Sequence, residues 1–386
     1  MSRPRTPSPQ PRTTSAVPPV HISTIQRTDD EVYLDIGAHE GLNEYWYSRL
    51  RNPTSDATAA RIAELEDGAE GLLFASGMAA ISTTLLCLAD AGTTVVAARE
   101  LYGDTLTLLQ RDLPRWGIDV VLVPIADHDA WRRALARPQP TIAYVETISN
   151  PQLRVADLPA LAELAHEQGA RLVVDNTFAT PYTCRPLGHG ADVVVHSATK
   201  FLNGHADVTA GAVVTDSATA TRLRRQTVTL GGIADPWAAS QLSRGLRTFD
   251  LRLRAQCETA ARLAEELGRH PEVTRVIHPS LTNHPDHDTA VRVLDGGACA
   301  MLSIVVGGGD ERARAVMRRL THFFEATSLG FTDSLISAPP TSSHITMTPE
   351  ERAAIGIPPG MLRMSIGLEP FETLLGDLTG ALKEDS

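Results

Sequence analysis

The segment ADVVVHSATKFLNGH, residues 191–205, sets Lys200 just past three consecutive valines and among His196, Ser197, Thr199 and His205. An apolar run without alternation suits a strand covered on both faces. An ammonium group there must snorkel, pair or be neutralised. Condensation with an aldehyde neutralises it outright. Other polar groups close similar apolar runs. LLFA leads into SGMAAI, so Ser76, Gly77 and Met78 open a helix whose free N–H groups and positive dipole end suit a phosphate. TIAYV ends at Glu146 with Asn150 close behind, and RLVV ends at Asp175, followed by Thr177.

Singly, these residues have plain explanations: Gly77 a turn, Asp175 a loop cap, Lys200 a surface position. Jointly, a lysine, a buried aspartate and a phosphate cradle meet the needs of pyridoxal 5′-phosphate. Its aldehyde needs an amine, its ring nitrogen needs a carboxylate that keeps it protonated, and its phosphate needs backbone donors. In open α/β sheets such groups gather beyond the carboxyl ends of the strands.

The elements that must position them follow from the pattern. From residue 59 on, Val/Ile-rich runs (TTVVAARE, IDVVLVPI, PTIAYVET, ARLVVDNT, ADVVVHSA) alternate with helical stretches such as DLPALAELAHEQG, with Asp157 as N-cap and Gly169 as stop. This predicts an α/β domain on a largely parallel sheet over residues 59–245. QLSRGLRTFDLRLRAQCETAARLAEELGRH reads as one long helix leading into a smaller α+β domain, residues 246–386, built from TRVIHP, AMLSIVV, DERARAVMRRL and LRMSIGLE. Residues 1–58 are left as a tail and arm. The first 20 residues are rich in Pro, Arg and Ser and lack acids, which predicts disorder rather than an amphipathic transit helix.

A net charge of −11 over 386 residues argues against nucleic acid or an anionic membrane as partner. No apolar run approaches the ~18 residues of a membrane span. The four scattered cysteines predict a reducing cytoplasm. HPDHD offers His284 and His287 without cysteine partners, so no metal is expected.

The stretches HSATKFLNGHADVTAG, YSRLRNPT, ASGMAAI, LYGDT, ETISNP, VVDNTFATP and LRMSIGLE closely resemble the Cys/Met-metabolism family of pyridoxal-phosphate enzymes, from Tyr45 to the C-terminus. That family includes cystathionine γ-synthase, cystathionine γ-lyase, methionine γ-lyase and O-acetylhomoserine sulfhydrylases. The resemblance implies an aminotransferase-like (type I) fold and a homotetramer of two active-site-sharing dimers. It implies Lys200 as the Schiff-base lysine and proton carrier, and Asp175 as partner of the ring nitrogen. Gly77, Met78, Ser197 and Thr199 become phosphate contacts, with Thr177 also at the cofactor. Tyr47 and Arg49 would reach the phosphate of the neighbouring subunit. Tyr102 would stack on the ring and act as acid at the leaving group. Arg363 would clamp the substrate carboxylate, helped by Ser328 and Asn150.

The reaction so implied is γ-elimination or γ-replacement on an amino acid with a thiol, acyloxy or halide group on Cγ. β-Elimination, transamination and a silent regulatory role are the alternatives. The first is disfavoured because Gly103-Asp104 replaces the Glu-Pro usual in the β-lyase branch, the last because Lys200, Asp175, Tyr102 and Arg363 are all present. Four departures from the family pattern are expected near the site. Asp104 stands where Gly or Cys is usual, Phe331 replaces a glycine, and Asp333 a glutamate; Ser343-His344 replaces a Thr-His pair. If Asp104, Phe331 and Asp333 face the side chain beyond Cβ, they predict a compact substrate rather than cystathionine.

Overall fold

Seven short apolar runs become the strands of one sheet: β1 (Glu70–Phe74), β2 (Thr94–Ala98), β3 (Asp119–Val123), β4 (Pro140–Glu146), β5 (Arg171–Asp175), β6 (Val193–His196) and β7 (Gly211–Thr215). The computed structural model describes residues 16–383 apart from 40, 43, 138, 296–298, 343, 344 and 346. Residues 1–15 of the expected tail, and Ser343-His344, therefore lie outside the described residues.

The strand order is β1-β7-β6-β5-β4-β2-β3. β7 runs antiparallel to both β1 and β6, and the remaining pairs are parallel. Helices Pro53–Leu65, Gly77–Leu88 and Leu158–Glu167 pack on this sheet. That cover explains the missing alternation: Val173, Val174 and Val193–Val195 are wholly buried. Asp157 does stand before helix Leu158–Glu167, but its carboxylate takes Arg292 at 2.8 Å instead of capping.

A second sheet, in the order β10-β11-β12-β9-β8, comprises β8 (Val273–Ile277), β9 (Met301–Val306), β10 (Phe324–Glu325), β11 (Leu335–Ser337) and β12 (Met361–Ser365). Helices Phe249–Leu267, Gly309–Arg319 and Phe371–Leu382 pack around it over a separate apolar cluster that includes Leu263, Ile304, Val316, Leu362 and Leu378. The single long helix read from the sequence is two, Pro236–Leu246 and Phe249–Leu267. Buried Arg252 accounts for the break: its guanidinium donates to the carbonyls of Gly245 at 3.1 Å and Phe201 at 3.0 Å, tying the first helix's end to the loop after Lys200. Helical periodicity carries no signal for such a long-range capture.

A two-pronged ion pair fastens the loop after β4 to the segment after β8. Asp286, 8% exposed, accepts Arg154 Nε at 2.5 Å and Nη2 at 2.7 Å, and the Val155 N–H at 3.0 Å. Asp286→Ala leaves the guanidinium without its partner and should lower unfolding stability by about 3 kcal/mol. Urea titration of the wild-type and variant apo-proteins measures this, and an unchanged midpoint would contradict it.

Candidate active site

Parallel register puts polar side chains at the carboxyl ends of β4, β5 and β6. Glu146 pairs with Asp175, and Asp175 with Val195, so the two carboxyl groups sit side by side on neighbouring strands. Burial pushes both carboxyls up; Glu146 is pushed further, by the neighbouring Asp175 charge as well. The Thr177 N–H donates to Asp175 Oδ1 at 2.9 Å and favours the ionised form there. Next along, the Ser197 N–H donates to Thr177 Oγ1 at 2.8 Å, which locks the two strand ends together.

After β1 the chain enters helix Gly77–Leu88 through Ser76, whose hydroxyl accepts the Ala79 N–H at 3.1 Å. The N–H groups of this first turn have no earlier carbonyl to bond. A Cβ on Gly77 would lie 2.8 Å from Ser197 Cβ and 2.9 Å from its Cα, so only glycine lets the helix start press against Ser197. The result is a cradle of backbone donors and hydroxyls that fits a phosphate. Thr199, also at the cradle, exchanges hydrogen bonds with the backbone of Ala210 (2.9 and 3.2 Å).

The cleft above these strand ends encloses about 620 Å³. Lys200 Nζ donates to Ser328 Oγ at 2.5 Å. Burial, then the Arg363 charge, brings the ammonium down to about 8. Ser328 has a left-handed φ of +98°, strained for a residue with a Cβ. In that conformation its carbonyl accepts Arg363 Nη2 at 2.8 Å while its hydroxyl meets Lys200. Arg363, on β12, also donates through Nη1 to Asn150 Oδ1 at 3.1 Å. Its Nε is buried without a partner among the described residues, and burial lowers the guanidinium to about 10.

Tyr102 forms the opposite wall. Its N–H donates to Glu146 Oε1 at 2.6 Å and its phenol to Asp104 Oδ2 at 2.6 Å. Burial, then the bond to Asp104, raises the phenol to about 12. Glu146 Oε2 accepts the Asn150 N–H at 3.2 Å, so one buried carboxyl holds both walls.

Lys200, Asp175, Gly77, Met78, Ser197, Thr199, Thr177, Tyr102, Ser328, Asn150, Arg363 and Asp104 thus line one cleft. Tyr47 and Arg49 do not: Arg49 lies over the Tyr47 ring at 5.2 Å and donates to the Val228 carbonyl at 2.8 Å. Phe331 and Asp333 also stand off the cleft, contrary to the sequence expectation. Gly330, at φ +82°, packs against the Lys200–Phe201 backbone and turns the chain away. Phe331 then offers its carbonyl to Gln256 at 2.7 Å, and Asp333 is exposed. Leu329 lines the cleft instead.

Two supports were not singled out as site residues in the sequence. Glu146 had a legible signal, its place at a strand end. Glu66 had none, because nothing in AELEDGAE separates it from Glu64. It is wholly buried, and its Oε1 lies 2.6 Å from His196 Nε2 and accepts Asn176 Nδ2 at 2.8 Å, beneath Ser197 and Asp175. His284 and His287 engage local backbone, at Asp286 N–H and Pro279 carbonyl.

The family model described as "Cys/Met metabolism PLP-dependent enzyme" matches residues 5–383. An L-methionine gamma-lyase of Fusobacterium nucleatum subsp. polymorphum is 41% identical over 88% of this chain and 86% of its own length. A cystathionine gamma-lyase of Bacillus subtilis is 40% identical, covering 90% of each. The crystal structure of cystathionine gamma synthase from Xanthomonas oryzae pv. oryzae in complex with aminoacrylate and cysteine superposes with a TM-score of 0.89 at 38% identity, over 95% of this chain and 93% of that one.

A Lys200 amine at about 8 makes cofactor capture pH-dependent. Only the neutral amine attacks an aldehyde, so the rate at which apo-protein takes up pyridoxal 5′-phosphate should climb as pH rises through about 8 and level off above it. Stopped-flow absorbance measures it; a rate still climbing towards the ordinary 10.5 would show an unperturbed lysine.

Proposed function

Since the chain belongs to the Cys/Met-metabolism family of pyridoxal-phosphate-dependent enzymes, we propose that it catalyses γ-elimination or γ-replacement on a free amino acid with its leaving group on Cγ, Lys200 moving the protons. The observation that carries this is the shared grip on Ser328: its hydroxyl holds Lys200 Nζ at 2.5 Å and its carbonyl holds Arg363 Nη2 at 2.8 Å. One residue thereby sets the proton carrier beside the carboxylate clamp.

When bound, pyridoxal 5′-phosphate supplies an electron sink for charge formed at Cα. Gly77, Met78, Ser197 and Thr199 hold its phosphate, and Asp175, with Thr177 bonded to it, keeps the ring nitrogen protonated. Arg363 takes the substrate carboxylate, steadied by Asn150 and the Ser328 carbonyl. That grip presents the α-hydrogen to Lys200, whose lowered affinity for protons suits it to act as a base near neutral pH. Once it has given up that first proton, the same amine, neutral again, removes one from Cβ, the step that lets a group on Cγ depart. Tyr102, kept protonated by Asp104, turns its one phenol proton from Asp104 Oδ2 to the departing atom.

The arm belongs to a second copy's site. Tyr47 and Arg49 lie off their own cleft, and a guanidinium carried across an interface suits a phosphate dianion. The active form is thus a homo-oligomer, a tetramer of site-sharing dimers, with a large domain over 59–245 and a C-terminal domain over 246–386. It works in the cytoplasm, where Cys87, Cys184, Cys257 and Cys299, all unpaired, stay reduced. Among the described residues no helix is long and apolar enough to cross a membrane.

Purified protein should be yellow and should release a 2-oxo acid from γ-substituted amino acids, or form a thioether when a thiol is added. Lys200→Ala should lose the colour and turnover by at least about a thousandfold. Arg49→Ala and Lys200→Ala proteins, each inactive, should regain partial activity once subunit exchange is verified; hybrids without activity would return the arm to its own site.

A further inference from the structure

Beyond the reaction class, and resting on it, we infer that Asp104 makes this cleft discriminate against γ-substituents that end in a negative charge. The charges lining the cleft carry the inference. Among the described lining residues the cations are Lys200 and Arg363, and both are committed, one to proton transfer and one to the substrate carboxylate. Among the acids, Asp175 faces the ring nitrogen, and Glu146 is occupied by the Tyr102 and Asn150 N–H groups. Asp104 alone remains exposed at the wall, with Oδ2 on the Tyr102 phenol at 2.6 Å.

The phenol is the group placed to meet the departing atom, so the Asp104 carboxylate lies beside whatever that atom carries. The other lining residues on offer to a side chain, Ile148, Phe178, Leu329 and Ile345, are uncharged. A thioether or a neutral ester meets uncharged surface there, apolar but for hydroxyls such as that of Ser342. An ester ending in a carboxylate meets a like charge with no uncommitted cation among the described lining residues to offset it, and the Arg49 that a second copy brings is taken by the phosphate.

O-Acetyl- and O-succinyl-L-homoserine form a matched pair of probes, with the same ester at Cγ and the same α-groups, differing in the terminal carboxylate. Wild-type holoenzyme at low salt should favour the acetyl ester by about tenfold or more in kcat/KM. About 0.5 M salt should narrow the gap, since screening weakens the repulsion. Asp104→Asn should slow both esters, having altered the Tyr102 contact, yet bring their ratio to within about threefold. Asp104→Ser provides a second neutral replacement should the first fold poorly. Asp333→Asn, which removes a carboxylate off the cleft, should keep the wild-type ratio.

Equal or better use of the succinyl ester by wild type would overturn the inference while leaving the γ-reaction standing. A ratio unmoved in Asp104→Asn and Asp104→Ser would overturn it too, because the discrimination would then come from elsewhere. Failure of yellow wild-type enzyme to process any γ-substituted amino acid would overturn the proposed reaction itself.

Discussion

Two cationic side chains held together in a half-dry cleft are the constraint on which this structure turns. Lys200 and Arg363 each bind protons less tightly than usual, to about 8 and about 10, burial being the main cause in both. Holding them close opposes folding, since neither has a carboxylate partner in the hydrogen bonds it makes here. Uncharged oxygens take that place: the Ser328 hydroxyl and carbonyl and the Asn150 amide. Carboxylate partners would have restored the lysine's proton and occupied the guanidinium. Neutral oxygens leave the first a base and the second an open clamp.

The strained backbone at Ser328 belongs to that arrangement. A residue with a Cβ rarely accepts a φ of +98°. The surrounding chain fixes it, through Gly330 packed on the Lys200–Phe201 backbone and Arg363 bonded to the Ser328 carbonyl. The second sheet is therefore more than a cover. β12 brings Arg363 to the first sheet, and the loop between β10 and β11 brings Ser328.

Beneath the cleft lies the opposite device, acids buried where backbone donors or a histidine can hold them. Glu146 collects the N–H groups of Tyr102 and Asn150, while Glu66 ties His196 and Asn176 together under the ends of β5 and β6. Networks of this kind rigidify a site only when nearly every member is bonded. Glu66 Oε2 is the exception, buried without a partner among the described residues.

Much of this was written locally. Five strands of the first sheet, β2 to β6, were visible as Val/Ile-rich runs, and in β2, β5 and β6 burial on both faces removes alternation. Lys200, Asp175 and the Gly77 helix start were visible because strand ends and helix starts are local events with local residue preferences. β10 and β11, two and three residues long, were not, since so short a strand exists only by virtue of its neighbours. The broken helix, the burial of Glu66 and the turning-away of Phe331 and Asp333 were likewise invisible. Each depends on a partner far along the chain: Arg252 on Gly245 and Phe201, Glu66 on His196, Gly330 on Lys200. The sequence by itself determined which chemical groups stand at the strand ends. Only the tertiary structure decided which of them share a cleft, because side-chain direction past a loop is set by long-range packing rather than by residue type.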